Sequence, residues 1–280
     1  MPSSSPIAPV LPSASHVVGW YADASKKVGV MKINRPRKKN CLSTQTYNEL
    51  TEHLLYFEND PDILAVVLTS DGDEYFTSGT DVSEGIAGSA VPSAGAPRTF
   101  MGTIVSFSKI LIAAVNGHAI GIGVTLLMYC DFVYSVPHAT FRTPFMALGI
   151  VPEFGSSVTF PALLGKTAAN DLLLRSKTFD MDRAVRCGLV SDVVPTAGFL
   201  DAVVRIAVDI ANQLNAHASL LLFKQQLNKL GPLTKQQVLF AIDSEYEVMD
   251  RRVRNGEFAP LGMAYLAQLH ADKVAKKSKL

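Results

Sequence analysis

The chain has 280 residues, is 48% hydrophobic and carries a formal net charge of +1 with only 18% charged residues. That length suffices for one large domain or a large one with a small companion, and the near-neutral balance gives no electrostatic footing for nucleic acid. Cys41, Cys130 and Cys187 are odd in number and far apart, so they argue for free thiols over a zinc site or disulfide framework, and no apolar run reaches the roughly 18 residues of a membrane span.

Residues 1–15 are rich in Ser and Pro and lack a secretory signal pattern, so a disordered lead-in is expected. His16 to Ala22 and Val28 to Ile33 read as two strands of a hairpin. Ser43 to Asn59 has helical spacing, with Ser43 or Thr44 placed to cap its start. Ala65 to Thr69 (AVVLT) is a buried strand. Asp81 to Pro97 is a Gly-, Ala-, Ser- and Pro-rich loop, expected to be mobile. A helix over Thr99 to Ser108 leads to a second buried strand, Ile110 to Val115. Gly121 to Met128 is apolar on every side, so an interior helix is expected. Phe132 to Ser135 and Thr140 to Phe141 continue the strands. Later helices are expected at Lys166 to Leu174, Asp180 to Cys187, Leu200 to Leu214, Leu233 to Asn255 and Pro260 to Lys276, with one late strand at Val190 to Val194. Strands alternating with helices and then helices alone specify an α/β core with a helical C-terminal region. The divisions drawn are a core over 16–205, a helical region over 206–272 and a charged tail over 273–280. The tail closes on Ser278-Lys279-Leu280, a receptor-read peroxisomal address; matrix localisation and an import receptor as partner are expected from it.

Two Gly-containing turns follow the buried strands. The first is Phe76-Thr77-Ser78-Gly79-Thr80-Asp81. The second runs from Asn116 to Gly123 and opens the apolar segment. A strand feeding a helix through such a turn leaves backbone N–H groups free, and the helix adds partial positive charge there. Two turns on neighbouring strands can aim two N–H groups at one carbonyl oxygen, which is an oxyanion hole. Ordinary turns are the alternative. A dinucleotide fingerprint is excluded, because no third Gly follows Gly121-Ile122-Gly123 at the required spacing.

FTSGTD (76–81), AAVNGHAIGIG (113–123) with the later Cys130-Asp131, LGIVPEFGSSVTFPALLG (148–165) and the Ala184 to Val190 stretch with Val193 and Val194 resemble the enoyl-CoA hydratase/isomerase (crotonase) family. The resemblance covers roughly residues 16 to 260. It implies a spiral of ββα turns with a C-terminal helical region that builds a homotrimer or dimer of trimers. It also implies acyl-CoA thioesters as substrates, with CoA part of the substrate and no separate cofactor or metal. The implied oxyanion donors are the N–H groups of Thr80 and Ile122. Ala and Gly are common in the family at these two positions, so the departures touch pocket shape and leave main-chain donation intact. Ser78, Gly79, Asp81, Gly121, Phe145 and Phe154 are expected in the substrate pocket.

Carboxylates decide the reaction. The family's hydratases carry two glutamates, in slots occupied here by Thr125 and Phe145. Water addition needs a base and an acid that these residues do not supply. Glu153, in Val151-Pro152-Glu153-Phe154-Gly155, stands where the family's 3,2-enoyl-CoA isomerases carry Glu, and a single base suffices to move a proton from C2 to C4. A loop carboxylate near a helix start is its bland alternative. The resemblance therefore implies isomerisation of 3-cis- or 3-trans-enoyl-CoA to 2-trans-enoyl-CoA in fatty acid β-oxidation. The alternatives are a hydratase- or dienoyl-CoA isomerase-type enzyme of a specialised peroxisomal pathway, or a non-catalytic acyl-CoA-binding subunit. His118 is expected to be a packing or hydrogen-bonding residue, Asp131 structural, and Arg251, Arg252 and Arg254 a solvent or subunit face.

Overall fold

The computed structural model describes residues 15–81, 84, 92–257 and 267. Most of the lead-in, most of the Asp81 to Pro97 loop, all but Ala267 of the expected helix over Pro260 to Lys276, and Ser278-Lys279-Leu280 lie outside the described residues.

The hairpin forms as expected from β1 (Val17–Tyr21) and β2 (Val28–Ile33), paired antiparallel with Tyr21 opposite Gly29. Helix α1 (Thr44–Asn59) follows, and Ser43 caps it: its side chain accepts from Thr46 N–H while Thr46 reaches back to Ser43. β3 (Ala65–Ser70) and β5 (Ile110–Val115) are buried at every residue, because a parallel sheet is covered on both faces. With β7 (Phe132–Ser135) and β9 (Asp192–Val193) they build a six-stranded sheet in the order β1-β2-β3-β5-β7-β9, parallel from β2 onward.

A second, three-stranded parallel sheet is made by β4 (Tyr75–Thr77), β6 (His118–Ile120) and β8 (Phe141–Arg142). The pairs β3/β4, β5/β6 and β7/β8 each place one strand in the large sheet and the next in the small one. That repetition is the spiral of ββα turns. Every turn ends at the small sheet, so the two Gly-containing turns stack beside each other.

The helices among the described residues are α2 (Ala96–Ser106), α3 (Ile122–Thr125), α4 (Phe145–Leu148), α5 (Ser156–Leu164), α6 (Lys166–Leu173), α7 (Met181–Arg186), α8 (Phe199–Ala211), α9 (Ala216–Leu230) and α10 (Lys235–Arg254). The interior helix expected over Gly121 to Met128 is shorter. α3 tightens into 3₁₀ winding at Leu126–Tyr129, which ends with Cys130 N–H on Leu127 C=O. The boundary drawn at residue 205 falls inside α8, whose Val203 and Ala207 are buried in the core below the sheet.

α9 was not anticipated. It is fastened to the core by Lys224, 6% exposed, whose Nζ donates to Asp131 Oδ2 at 2.7 Å and to Lys109 C=O at 2.6 Å. Asp131 also accepts from Leu111 N–H at 2.7 Å, so its expected structural role is to join β5 to α9. The opposite face of α9 shows Leu222, Phe223, Leu227 and Leu230 to solvent, each at least 58% exposed. No helix among the described residues is long and apolar enough to cross a membrane.

Candidate active site

The two turns meet. β4 pairs with β6 so that Thr77 faces Ala119, and each strand runs directly into its turn. Gly79 has φ +92°, and a Cβ placed there would lie 3.1 Å from Ile120 C=O. Gly121 has φ +59° and ψ −120°, a combination open to glycine and strained for any other residue. A Cβ on Gly121 would in turn sit 4.0 Å from the Gly79 Cα, so the two turns are in van der Waals contact. Leu42 holds the first turn in extended pairing, donating N–H to Gly79 C=O at 2.9 Å and accepting from Asp81 N–H at 2.8 Å. Among the described residues, neither the Thr80 N–H nor the Ile122 N–H has a hydrogen-bond acceptor. Ile122 opens α3, where the N–H groups have no partner within the helix.

The side chains around these turns differ in their exposure. Thr80 is exposed, and its hydroxyl pairs with the buried Tyr47 hydroxyl of α1 at 2.6 Å. The Ile122 side chain is buried, at 1%. Ser78 is half-buried, and its N–H is taken by Lys39 C=O at 3.0 Å. Asp81, expected as a pocket residue, lies 3.6 Å from the Arg35 guanidinium and 3.4 Å from the Cys41 thiol. Phe145 and Phe154 do not form open walls. They are 2% and 0% exposed, because the core takes both rings. Phe154 stacks on Tyr129 at 4.4 Å between centroids and meets Phe100 edge-on at 6.2 Å, which makes it the floor beneath its own loop. His118 bonds Thr140 and packs on Tyr75, as expected of a packing residue.

Glu153 lies in the loop between α4 and α5 and is half-buried. Burial pushes its carboxyl up to about 7, and the carboxylate of Glu245 adds to the shift. Two phenols complete the surroundings: the buried Tyr47 of α1 and the half-buried Tyr246 of α10 are pushed up first by burial and then by Glu153, so both stay neutral. Tyr129 donates its hydroxyl to Phe154 C=O. The arrangement joins two free backbone donors on adjoining turns with a carboxyl poised near neutrality. Among the described residues no group of three or more His, Cys, Asp or Glu could hold a metal ion. A cavity of about 340 Å³ at the carboxyl ends of β3 and β5, lined by residues such as Lys32, Asp71, Asn116 and Asp201, includes none of the residues of this site.

Tyr47, Tyr246 and Glu245 were not singled out from sequence. For the tyrosines there was no signal beyond helical spacing. For Glu245 there was one: Val238, Ala241, Ile242 and Glu245 form one helical stripe, and the carboxylate is its only charged member.

The enoyl-CoA hydratase/isomerase family matches over residues 23–251. The chain belongs to that family. Among its relatives, human Enoyl-CoA delta isomerase 2 is 41% identical over 180 residues, which is 61% of this chain and 45% of the relative. The chain thus spans less than half the length of that relative. A short-chain-enoyl-CoA hydratase of Clostridium acetobutylicum is 34% identical over 217 residues, 72% of this chain and 78% of the relative. Of the solved structures, Pseudomonas aeruginosa OdaA superposes with a TM-score of 0.78 at 30% identity, covering 85% of this chain and 95% of that one. An enoyl-CoA hydratase/isomerase from Pseudoalteromonas atlantica gives 0.76 at 31%, covering 86% and 94%. The fold is that of the crotonase family, an α/β spiral followed by helices.

Proposed function

We propose that this protein isomerises 3-cis- and 3-trans-enoyl-CoA to 2-trans-enoyl-CoA, with Glu153 as the proton shuttle and the N–H groups of Thr80 and Ile122 as the oxyanion hole. The observation that carries the reading is the half-buried Glu153 carboxyl, raised to about 7 and coupled to the Tyr47 phenol whose hydroxyl bonds Thr80 of the first turn. In the reaction the Glu153 carboxylate removes a proton from C2, and the electrons of that C–H bond form the enolate. The negative charge on the thioester oxygen is met by the two N–H groups. The double bond moves to C2–C3 as C4 takes the same proton back from Glu153, which returns to carboxylate. No proton or electron is gained or lost overall, so CoA enters only as part of the substrate and no separate cofactor is required.

The hydratase reading is disfavoured although relatives bear that name. Thr125 is fully buried with its hydroxyl directed to Ile122 C=O, and Phe145 is core, so neither slot offers the second acid–base group that water addition needs. The delta isomerase relatives at 41% identity support the isomerase assignment. Peroxisomal placement rests on Ser278-Lys279-Leu280 and belongs to the same proposal. A homotrimer or dimer of trimers is supported by the uncovered apolar face of α9.

Conversion of 3-cis- and 3-trans-enoyl-CoA by wild type and Glu153→Gln tests the reading. The wild type should turn over, with kcat/KM rising with pH through about 7 as the base ionises. The variant should lose about 10³-fold or more, within the span of one acid–base group. A wild type that binds acyl-CoA yet converts neither isomer moves the non-catalytic and specialised-pathway readings forward.

A further inference from the structure

The segment after Glu153 takes a costly shape. Phe154 and Gly155 are both left-handed, at φ +59° and +67°. For Phe that conformation costs about 1–2 kcal/mol, so something must hold it. α5 begins at the next residue with Gly155 as its N-cap, which has no side chain to receive the free N–H groups. Those groups are met from another helix. Glu245 of α10 accepts Gly155 N–H at 2.7 Å on one oxygen, and on the other accepts Ser157 N–H at 3.0 Å and the Ser157 hydroxyl at 2.5 Å. Each of these partners donates, so the ionised carboxylate is the form that fits, and the positive end of α5 favours it. Glu245 is 8% exposed on the apolar stripe of α10. A charge in that position is expensive unless its hydrogen bonds serve a purpose.

We propose that Glu245 is the positioning residue of the proton-transfer site: it caps α5 in trans, locks Phe154 and Gly155 in their left-handed turn and thereby aims Glu153. The inference rests on the reading of Glu153 as the base. Its charge adds a second effect, because a like charge nearby makes Glu153 harder to ionise. The groups electrostatically coupled to Glu153 are Tyr47 from α1 and Glu245 and Tyr246 from α10. Arg98 of α2 acts on Tyr246 and is paired with Asp243. Both phenols are neutral at working pH, so the charge acting on Glu153 in this ring is that of Glu245. Burial raises Glu245 as well, and the bonds from Ser157 and Gly155 oppose that shift by favouring its ionised form. α10 also secures the opposite side, since Asp243 binds Arg98 at 2.5 Å and Asp250 binds Ser93 at 2.6 Å. One helix therefore sets both the Glu153 loop and the start of α2.

The test compares full-length wild type, Glu245→Gln, Glu245→Asp and Glu153→Gln in pH profiles of kcat and kcat/KM on 3-enoyl-CoA. Gln keeps the length but loses the charge and one acceptor oxygen. Its kcat should fall about 10²-fold, the scale of a displaced catalytic group, with KM little changed, and the midpoint of the acid limb should move to lower pH. Asp keeps the charge but falls short of the N–H groups; it should lose kcat while the midpoint stays near that of wild type. A purely structural role would lower the folded fraction and leave the midpoint of the remaining activity unmoved in both variants, which overturns the proposal. Should Glu245→Gln fail to fold, Ser157→Ala removes the 2.5 Å bond alone; an unchanged kcat there also overturns it. If the wild type is inactive on every 3-enoyl-CoA, the functional reading has failed separately. The inference is then decided by the protonated-carboxyl infrared band that Glu153→Gln abolishes. Its titration midpoint should fall in Glu245→Gln, and an unmoved midpoint sinks the coupling.

Discussion

Replacing Glu153 with Gln should stabilise the protein at alkaline pH while removing its base. The folded-state carboxyl titrates at about 7 against an ordinary 4.5. A carboxyl raised in the folded state holds its proton longer there than in the unfolded chain, so folding stability falls as pH rises from about 4.5 to 7 and stays low above that. Two and a half pH units correspond to about 3 kcal/mol of differential interaction. That penalty is nearly complete at pH 8.5 and falls to under about 1 kcal/mol at pH 5. The amide has no charge to bury, so Glu153→Gln escapes the penalty. Its own packing and hydrogen-bonding costs do not depend on pH, which makes the pH-dependence of the difference the decisive quantity. Urea unfolding of both proteins at pH 5 and 8.5, at one fixed protein concentration so that self-association cannot enter the comparison, gives that difference directly. The variant should gain about 2–3 kcal/mol on wild type between the two pH values. An equal pH-dependence in both proteins would refute the claim that burial raises the Glu153 carboxyl to about 7 and would return it to the class of surface loop carboxylates.

Two further outcomes are expected. Gly121→Ala places a side chain where φ is +59° and ψ −120°, so it should cost about 1–3 kcal/mol and lower kcat by disturbing the adjoining Ile122 N–H; thermal unfolding together with turnover checks both. Phe223→Glu, on the apolar face of α9 where Phe223 is 65% exposed, should dissociate the proposed trimer to single chains in light scattering with secondary structure retained, and a wild-type trimer whose mass the substitution leaves unchanged would remove that face from the proposed interface.

The parts of the fold legible in the sequence were those whose burial is uniform. AVVL and ILIAAV are apolar at every residue because both faces of a parallel strand are covered, and the helix over Lys235–Arg254 shows a buried stripe. β4, β6 and β8 have two or three residues each and no period to read. α9 escaped because Leu220 to Phe223 are consecutive and because exposed apolar residues such as Phe223 and Leu227 share its surface with Gln225, Gln226 and Lys229, which blurs the helical period. At the site, Glu153 was legible through its neighbours in the VPEFG stretch. Phe154 was misplaced into the pocket wall because sequence cannot tell an apolar residue facing a ligand from one facing the core. Glu245 and Tyr246 were missed because their relation to Glu153 exists only after distant helices have packed.

The bond from Gly155 to Glu245 spans 90 residues of chain. At the usual pace of synthesis, about 5–20 residues per second, the ribosome releases the base-bearing loop roughly 5–20 s before it makes the residue that caps α5. In that interval Tyr129 and Phe100 can already pack on Phe154, yet the Gly155 and Ser157 N–H groups still lack the acceptor that caps α5. With Glu245 in its proposed role, the loop that carries Glu153 takes its final shape only as α10 docks.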